Sequence, residues 1–129
     1  MTKKILIVDD DEALSGLVAM QFKDLGHEAS CTNDGYDALQ RIKAEKPDLI
    51  ILDVMLPKMD GFHICRLIKF DRNFKDIPIL MYSSLSEDKH ELGEEVGADA
   101  YLPKPFKLEI LMQMANDLLN RPAKKQITA

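Results

Sequence analysis

Four short apolar runs, each followed at once by polar residues, occur along the chain. They span residues 5–8, 49–52, 79–82 and 100–103, and a weaker strand pattern covers 27–32. A run of this length that is apolar throughout is typical of a strand buried on both faces of a parallel sheet. Helical patterns separate these strands, and such alternation predicts a doubly wound α/β fold. The sequence therefore indicates one five-stranded parallel sheet with helices on both faces.

The element boundaries follow from apolar periodicity and from residues that begin or end helices and strands. We expect Asp60 to cap the third helix, because its side chain can accept a hydrogen bond from a free amide. The strand at 27–32 is expected near an edge, and Pro103, which lacks an amide hydrogen, places the last strand at or near an edge too. The buried face of the first helix is expected to carry Leu14, Leu17, Val18 and Leu25. The predicted strands are 4–8, 27–32, 49–52, 77–82 and 100–102, and the predicted helices are 11–25, 36–45, 61–70, 87–96 and 108–119.

Charged and hydroxyl residues follow the apolar runs where the strands are expected to end. Asp9 and Asp10 follow the first run, Asp53 the second, Ser83 the third and Lys104 the fourth. Because open α/β sheets bind ligands at the carboxyl ends of their parallel strands, we expect these side chains to converge on one edge. The sequence therefore predicts a site there.

The residue types at this edge indicate a chemistry. Three carboxylates packed together repel one another, and Mg²⁺, which prefers oxygen ligands, removes that conflict. Lys104 and Ser83 can contact phosphoryl oxygens, and the backbone amide of Ser84 offers a second hydrogen bond. A carboxylate is also a covalent nucleophile toward phosphorus. The pocket is therefore predicted to be an aspartyl-phosphate site.

With these motifs, the chain resembles the receiver domain of two-component response regulators over about residues 3–119. The resemblance implies a single flavodoxin-like (βα)5 sheet with strand order 2-1-3-4-5. It also implies a signalling switch that accepts a phosphoryl group from a histidine kinase or phosphotransfer protein. The motifs that carry the resemblance are 8–10, 53, 55–61, 83–84, 97–101 and 104–106.

The resemblance also implies a role for each matching residue around the acceptor. Asp53 would be the phosphoacceptor, and Lys104 would contact its phosphoryl group through a Lys104–Pro105 peptide bond expected to be cis. Asp10 would bind Mg²⁺ directly, Asp9 chiefly through water, and the backbone carbonyl of Met55 would supply a further ligand. Mn²⁺ is expected to substitute for Mg²⁺.

A second group of matching residues would transmit the signal. Ser83 would move toward the phosphoryl group, and the ring of Tyr101 would turn inward with it, while the backbone of Ser84 contacts the phosphate. The output surface would then be the helix at 87–96, the last strand and the helix at 108–119, where a downstream protein binds or a phosphorylation-linked dimer forms.

Composition and charge argue against several other classes of protein. The chain has 129 residues, 46% of them hydrophobic, and a net charge of −5 with no Lys/Arg cluster, so we expect no nucleic-acid binding by this domain. No apolar stretch reaches the length of a membrane span. The first strand begins too early to leave room for a signal peptide, and Cys31 and Cys65 form no metal-type pattern, so a cytoplasmic domain is expected. We place the receiver domain at 1–121 and a short polar tail at 122–129.

Three other functions are alternatives to that of a phosphorylated receiver. A haloacid-dehalogenase-type phosphatase would use the Asp9-x-Asp11 spacing, but it leaves Asp53 unexplained and lacks an acidic pair after Lys104. A degenerate receiver would bind partners without phosphorylation, although all the site residues are present. A nucleotide-binding flavodoxin-like module would need a glycine-rich phosphate loop after the first strand. We therefore expect a signalling domain rather than a metabolic enzyme, with or without an output domain after Arg121.

Two loop positions bear on how long a phosphoryl group survives. They are Met55, two residues after the acceptor, and Leu85, two residues after Ser83. Neither side chain can activate an attacking water, and we therefore predict slow self-dephosphorylation.

Overall fold

The computed structural model describes residues 2–83 and 94–121. Ser84, Leu85, most of the helix predicted over 87–96 and the tail at 122–129 lie outside these residues. The strands are β1 (Lys4–Val8), β2 (Glu28–Thr32), β3 (Leu49–Asp53), β4 (Ile79–Ser83) and β5 (Ala100–Pro103). The helices are α1 (Glu12–Asp24), α2 (Gly35–Glu45), α3 (Gly61–Lys69) and the C-terminal helix (Leu108–Leu119). None of the helices in the described part of the chain is long and apolar enough to cross a membrane.

The five strands form one parallel sheet in the order β2-β1-β3-β4-β5, which confirms the predicted fold. β3 and β4 are buried at every position, whereas β2 is only half-buried and β5 exposes Pro103. These two weaker strands form the edges, as the sequence predicted. β4 begins at Ile79 rather than at residue 77, because Pro78 has no amide hydrogen to donate to the ladder. The Ile79 amide donates instead to the Asp99 carboxylate, at 2.8 Å.

Alternation along the strands sends neighbouring side chains to two separate apolar clusters. One cluster, the α1 side, joins the sheet to α1 and the C-terminal helix, with Phe22 and Leu111 among its members. The other, the α3 side, joins the sheet to α2 and α3, with Ile42 and Ile68 among its members. Odd-numbered residues of β1 and β3 and even-numbered residues of β4 belong to the α1 side. Their sequence neighbours belong to the α3 side.

The buried face of α1 differs in part from the prediction. Leu17 and Leu25 are 46% and 64% exposed. The core-facing stripe instead contains Ser15, Val18, Ala19 and Phe22, which recur at helical spacing. The prediction was right for Val18 and for Leu14, which packs against the α1 side of the core. It was wrong for the other two leucines, because Leu17 lies off this stripe and Leu25 is the C-cap residue that follows the last helical turn.

Candidate functional site

Asp9, Asp10 and Asp53 lie together at the carboxyl ends of the adjacent strands β1 and β3. Each offers a carboxylate oxygen, and these atoms lie within 4.8 Å of one another. Asp9 and Asp53 are buried, whereas Asp10 is exposed. The structure therefore brings together the three carboxylates that the sequence predicted, with one of them open to solvent.

Each buried carboxylate is oriented by a backbone amide two residues further along the chain. Asp9 Oδ1 accepts a hydrogen bond from the Asp11 amide at 2.9 Å. Asp53 Oδ1 accepts one from the Met55 amide at 3.0 Å. Short turns of this kind are typical of aspartate, whose side chain reaches its own following backbone. The other oxygen of each residue, Oδ2, is left to face the pocket.

Lys104 supplies the positive charge of the site. Its Nζ lies 3.6 Å from Asp53 Oδ2 and 4.0 Å from Asp9 Oδ2. The Lys104 amide donates to the Ser83 carbonyl at 2.8 Å, which ties the loop after β5 to the end of β4. The Lys104–Pro105 peptide bond is cis, as predicted. One ammonium beside three carboxylates leaves a negative pocket of hard oxygen donors, and this donor set fits a Mg²⁺ ion.

The crowding of charge is visible in the protonation of Asp53. Burial raises the pKa of its carboxyl from 3.8 to about 6, and the neighbouring Asp9 adds to the rise. The Met55 amide and the Lys104 ammonium act in the opposite direction without cancelling it. Asp53 is therefore held as an unfavourable anion near neutral pH, a condition that an added cation relieves.

Tyr82 also reaches the pocket, although its place in an apolar run predicts only a packing role in β4. Its side chain is fully buried, and its hydroxyl donates a hydrogen bond to Asp9 Oδ2. Burial and this hydrogen bond raise the pKa of Tyr82 above its ordinary value. Strand alternation carries the signal that was missed: Tyr82 pairs in register with Asp53, and its parity places it on the α1 side, where Asp9 and Asp53 also fall.

The predicted switch residues, Ser83 on β4 and Tyr101 on β5, lie on the other face of the sheet, the α3 side. Ser83 is fully buried at the end of β4, and Tyr101, half-buried on β5, packs against the α3 side of the core. Burial raises the pKa of the Tyr101 phenol, the Ser83 side chain lowers it, and the Asp53 charge raises it again. Ser83 and Tyr101 are therefore close enough to influence each other, while Ser84 lies outside the described residues.

Gly61, the first residue of α3, packs directly on the backbone at the end of β3. Its amide donates to the Val54 carbonyl at 2.8 Å. A Cβ at this position would lie 2.4 Å from the Asp53 carbonyl oxygen and 2.8 Å from Val54 Cα. Because the obstacles are backbone atoms, we expect Gly61→Ala to lower the free energy of unfolding by about 1–3 kcal/mol, measured by urea denaturation.

Gly16 provides the matched control within the same chain. It lies inside α1, and a Cβ there would meet nothing within 4 Å. Gly16→Ala is therefore expected to stabilise the protein by up to about 1 kcal/mol, because alanine is the better helix former. Equal effects of the two substitutions would show that the close approach of Gly61 does not matter.

Comparison with known proteins places the chain in a family of signalling domains. The family described as response regulator receiver domain matches residues 5–116, and the chain belongs to this family. The resemblance inferred from the sequence motifs is thereby confirmed.

Relatives and solved structures agree with this assignment. The chain is 43% identical over 107 residues to the alkaline phosphatase synthesis transcriptional regulatory protein PhoP of Bacillus subtilis, covering 82% of the chain and 44% of that protein. It is 40% identical over 119 residues to the DNA-binding dual master transcriptional regulator RpaA of Synechocystis, covering 92% and 49%. The chain thus spans about half the length of these curated relatives. They are regulators rather than metabolic enzymes.

Among solved structures, the chain resembles a putative response regulator from Chloroflexus aurantiacus with a TM-score of 0.87. The two are 33% identical, over 94% of this chain and 100% of the other. The chemotaxis response regulator CheY4 of Vibrio cholerae gives a TM-score of 0.85 at 33% identity, over 92% and 99%. A receiver fold therefore accounts for nearly the whole chain.

Proposed function

We propose that this domain is a phosphorylation-controlled switch in which Asp53 accepts a phosphoryl group from a histidine kinase or a phosphotransfer protein. The observation that carries the proposal is the position of Asp53 Oδ2, which faces Lys104 at 3.6 Å inside a cluster of three carboxylates. In the transfer, this oxygen forms a bond to phosphorus while the bond from phosphorus to the donor imidazole breaks. The imidazole leaves with the bonding electron pair and takes up a proton.

The residues around Asp53 divide the work of this transfer. The Met55 amide holds Oδ1, which leaves Oδ2 as the attacking atom. The Lys104 ammonium would neutralise part of the negative charge on the phosphoryl oxygens as the phosphoryl group approaches Asp53. Asp10 would bind Mg²⁺ directly, and Asp9 would bind it chiefly through water. The backbone carbonyl of Met55 would supply a further ligand. When bound, Mg²⁺ supplies the positive charge that brings the acidic pocket and the phosphoryl oxygens together.

The orientation of Asp9 favours Asp53 over Asp9 as the nucleophile. Both oxygens of Asp9 accept hydrogen bonds, from the Asp11 amide and the Tyr82 hydroxyl. A phosphatase of the haloacid-dehalogenase type would require the first aspartate after β1 to attack. An oxygen that already accepts a hydrogen bond is the weaker nucleophile, and Lys104 Nζ lies closer to Asp53 Oδ2, at 3.6 Å, than to Asp9 Oδ2, at 4.0 Å.

Phosphorylation would be read through Ser83, Tyr101 and the backbone of Ser84. Movement of Ser83 toward the phosphoryl group would change the packing of Tyr101 and shift a two-state equilibrium. The output surface would comprise the 87–96 segment, β5 and the C-terminal helix, and it would bind a downstream protein or a second copy of the domain. We further propose that Met55 and Leu85 make self-dephosphorylation slow, and that the domain itself binds no nucleic acid.

Intact mass spectrometry after incubation with acetyl phosphate tests the proposal. Wild-type protein with Mg²⁺ is expected to gain one phosphoryl group, whereas Asp53→Asn, and wild type in excess EDTA, are expected to gain none. Beryllofluoride, which mimics the phosphoryl group, should bind wild type even if hydrolysis is fast. Failure of both reagents would favour a degenerate receiver, and an adduct that persists in Asp53→Asn would move the acceptor elsewhere.

A further inference from the structure

Tyr82 contacts a residue of the acidic pocket that lies beyond its neighbouring strand. Its register partner is Asp53 on β3, yet its hydroxyl passes to Asp9, which follows β1. Asp9 Oδ1 is held by the Asp11 amide at 2.9 Å, and Asp9 Oδ2 accepts from the phenol. Both oxygens of the Asp9 carboxylate therefore accept hydrogen bonds, and the one at Oδ2 comes from the side chain of Tyr82.

The ring of Tyr82 also contacts the ammonium group of Lys104. The Lys104 Nζ lies 4.7 Å from the ring centroid, within the range of a cation–π interaction. The ring is itself braced by Phe106, at a centroid distance of 5.6 Å and an interplanar angle of 72°. One buried side chain thus contacts both a carboxylate and the ammonium group of the site.

We propose that Tyr82 is a positioning residue of this pocket, holding Asp9 through its hydroxyl and Lys104 through its ring. The proposal rests on the function proposed above, because it is the divalent cation and the phosphoryl group that require these two groups in place. A carboxylate that can rotate must be ordered when the cation binds. Tyr82 orders it beforehand, and loss of such outer partners commonly weakens metal binding by about 10–100-fold.

Tyr82→Phe removes the hydroxyl and keeps the ring. We expect it to weaken Mg²⁺ binding about tenfold, measured by isothermal titration calorimetry. In the metal-free protein, the NMR resonance of the Asp11 amide should shift, because that amide reports the orientation of Asp9. Tyr36→Phe, which removes a hydroxyl from an exposed tyrosine, is the matched control and should change neither quantity.

A double-mutant cycle with Asp9→Ala, which removes the acceptor of the Tyr82 hydrogen bond, tests whether Tyr82 acts through Asp9. In the Asp9→Ala background, Tyr82→Phe is expected to have no further effect on Mg²⁺ affinity. An affinity of Tyr82→Phe within about twofold of wild type, or the same loss in both backgrounds, overturns the positioning role. If wild type binds no Mg²⁺, the proposed function fails; if wild type binds it and the cycle shows no coupling, only the role of Tyr82 fails.

The contact with Lys104 is tested by removing the ring as well. Tyr82→Leu should be phosphorylated by acetyl phosphate more slowly than Tyr82→Phe at saturating Mg²⁺, because Lys104 loses its support. Circular dichroism confirms that both variants are folded before the rates are compared. Equal rates for the two variants would overturn the part of the proposal that concerns Lys104.

Discussion

The Asp53→Asn protein is expected to be more stable than wild type at neutral pH when divalent cations are absent. Burial beside Asp9 raises the pKa of Asp53 from 3.8 to about 6. This difference corresponds to about 3 kcal/mol of unfavourable ionisation in the folded state. Asparagine has nearly the same shape and carries no charge, so urea denaturation in EDTA should show a gain of about 2–3 kcal/mol. The same substitution removes the proposed phosphoacceptor.

The pH dependence of this difference provides its control. Because the folded-state pKa is raised, protonated Asp53 favours the folded state below about pH 4, and this contribution is lost as the pH rises to about 6. The free energies of unfolding of wild type and Asp53→Asn should therefore be similar near about pH 4 and diverge toward neutral pH. Mg²⁺ should stabilise wild type and narrow the gap. A difference in stability between the two proteins that is the same at about pH 4 and at neutral pH would contradict the raised pKa of Asp53.

Asp99→Ala is expected to lower the free energy of unfolding by about 3–5 kcal/mol, although Asp99 lies away from the acidic pocket. Asp99 Oδ2 lies 2.6 Å from Lys69 Nζ, and the two side chains are only 6% and 8% exposed. Without Asp99, the Lys69 ammonium keeps the carbonyl oxygens of Lys75 and Ile77 but loses its counter-charge. Arg121, which contacts Asp99 Oδ1 at 3.0 Å, loses its acceptor as well. Urea denaturation measures the loss.

Asp37→Ala is the matched control, because it breaks an ion pair of similar length that solvent reaches. Arg41 Nε lies 2.9 Å from Asp37 Oδ2, with the side chains 38% and 42% exposed. Its loss should cost less than about 1 kcal/mol. A similar small cost for Asp99→Ala would show that Lys69 is stable without its partner.

The pKa of Asp99 provides a second measure of its interaction with Lys69. Burial acts to raise the pKa of Asp99, but hydrogen bonds from Lys69 and the Ile79 amide outweigh it and hold the pKa below its ordinary value. The stabilisation by Asp99 is therefore full at neutral pH. It is lost as the pH falls through the lowered pKa.

The sheet was predictable because its strands are short apolar runs, and a buried parallel strand needs apolar side chains on both faces. The convergence of Asp9, Asp53 and Lys104 followed from strand direction alone. The buried face of α1 was harder to predict from the sequence, since Leu17 is apolar yet exposed. Composition alone does not distinguish an exposed leucine from a buried one.

Two contacts could not be predicted from local patterns. A tyrosine in an apolar run is usually packing, and the reach of Tyr82 to Asp9 depends on register across β3. The buried pair of Lys69 and Asp99 joins the end of α3 to the residue before β5, and no sequence spacing marks it. Both contacts arise only when the sheet is assembled, since each links elements distant in sequence.

Tyr82 and Ser83 are joined by one peptide bond, yet they serve opposite sides of the sheet. Tyr82 packs on the α1 side and contacts Asp9, while Ser83 faces the α3 side, where Tyr101 packs. A displacement at the end of β4 therefore disturbs both helical layers at once. A partner that binds only one face of the domain would still be sensitive to substitutions on the other.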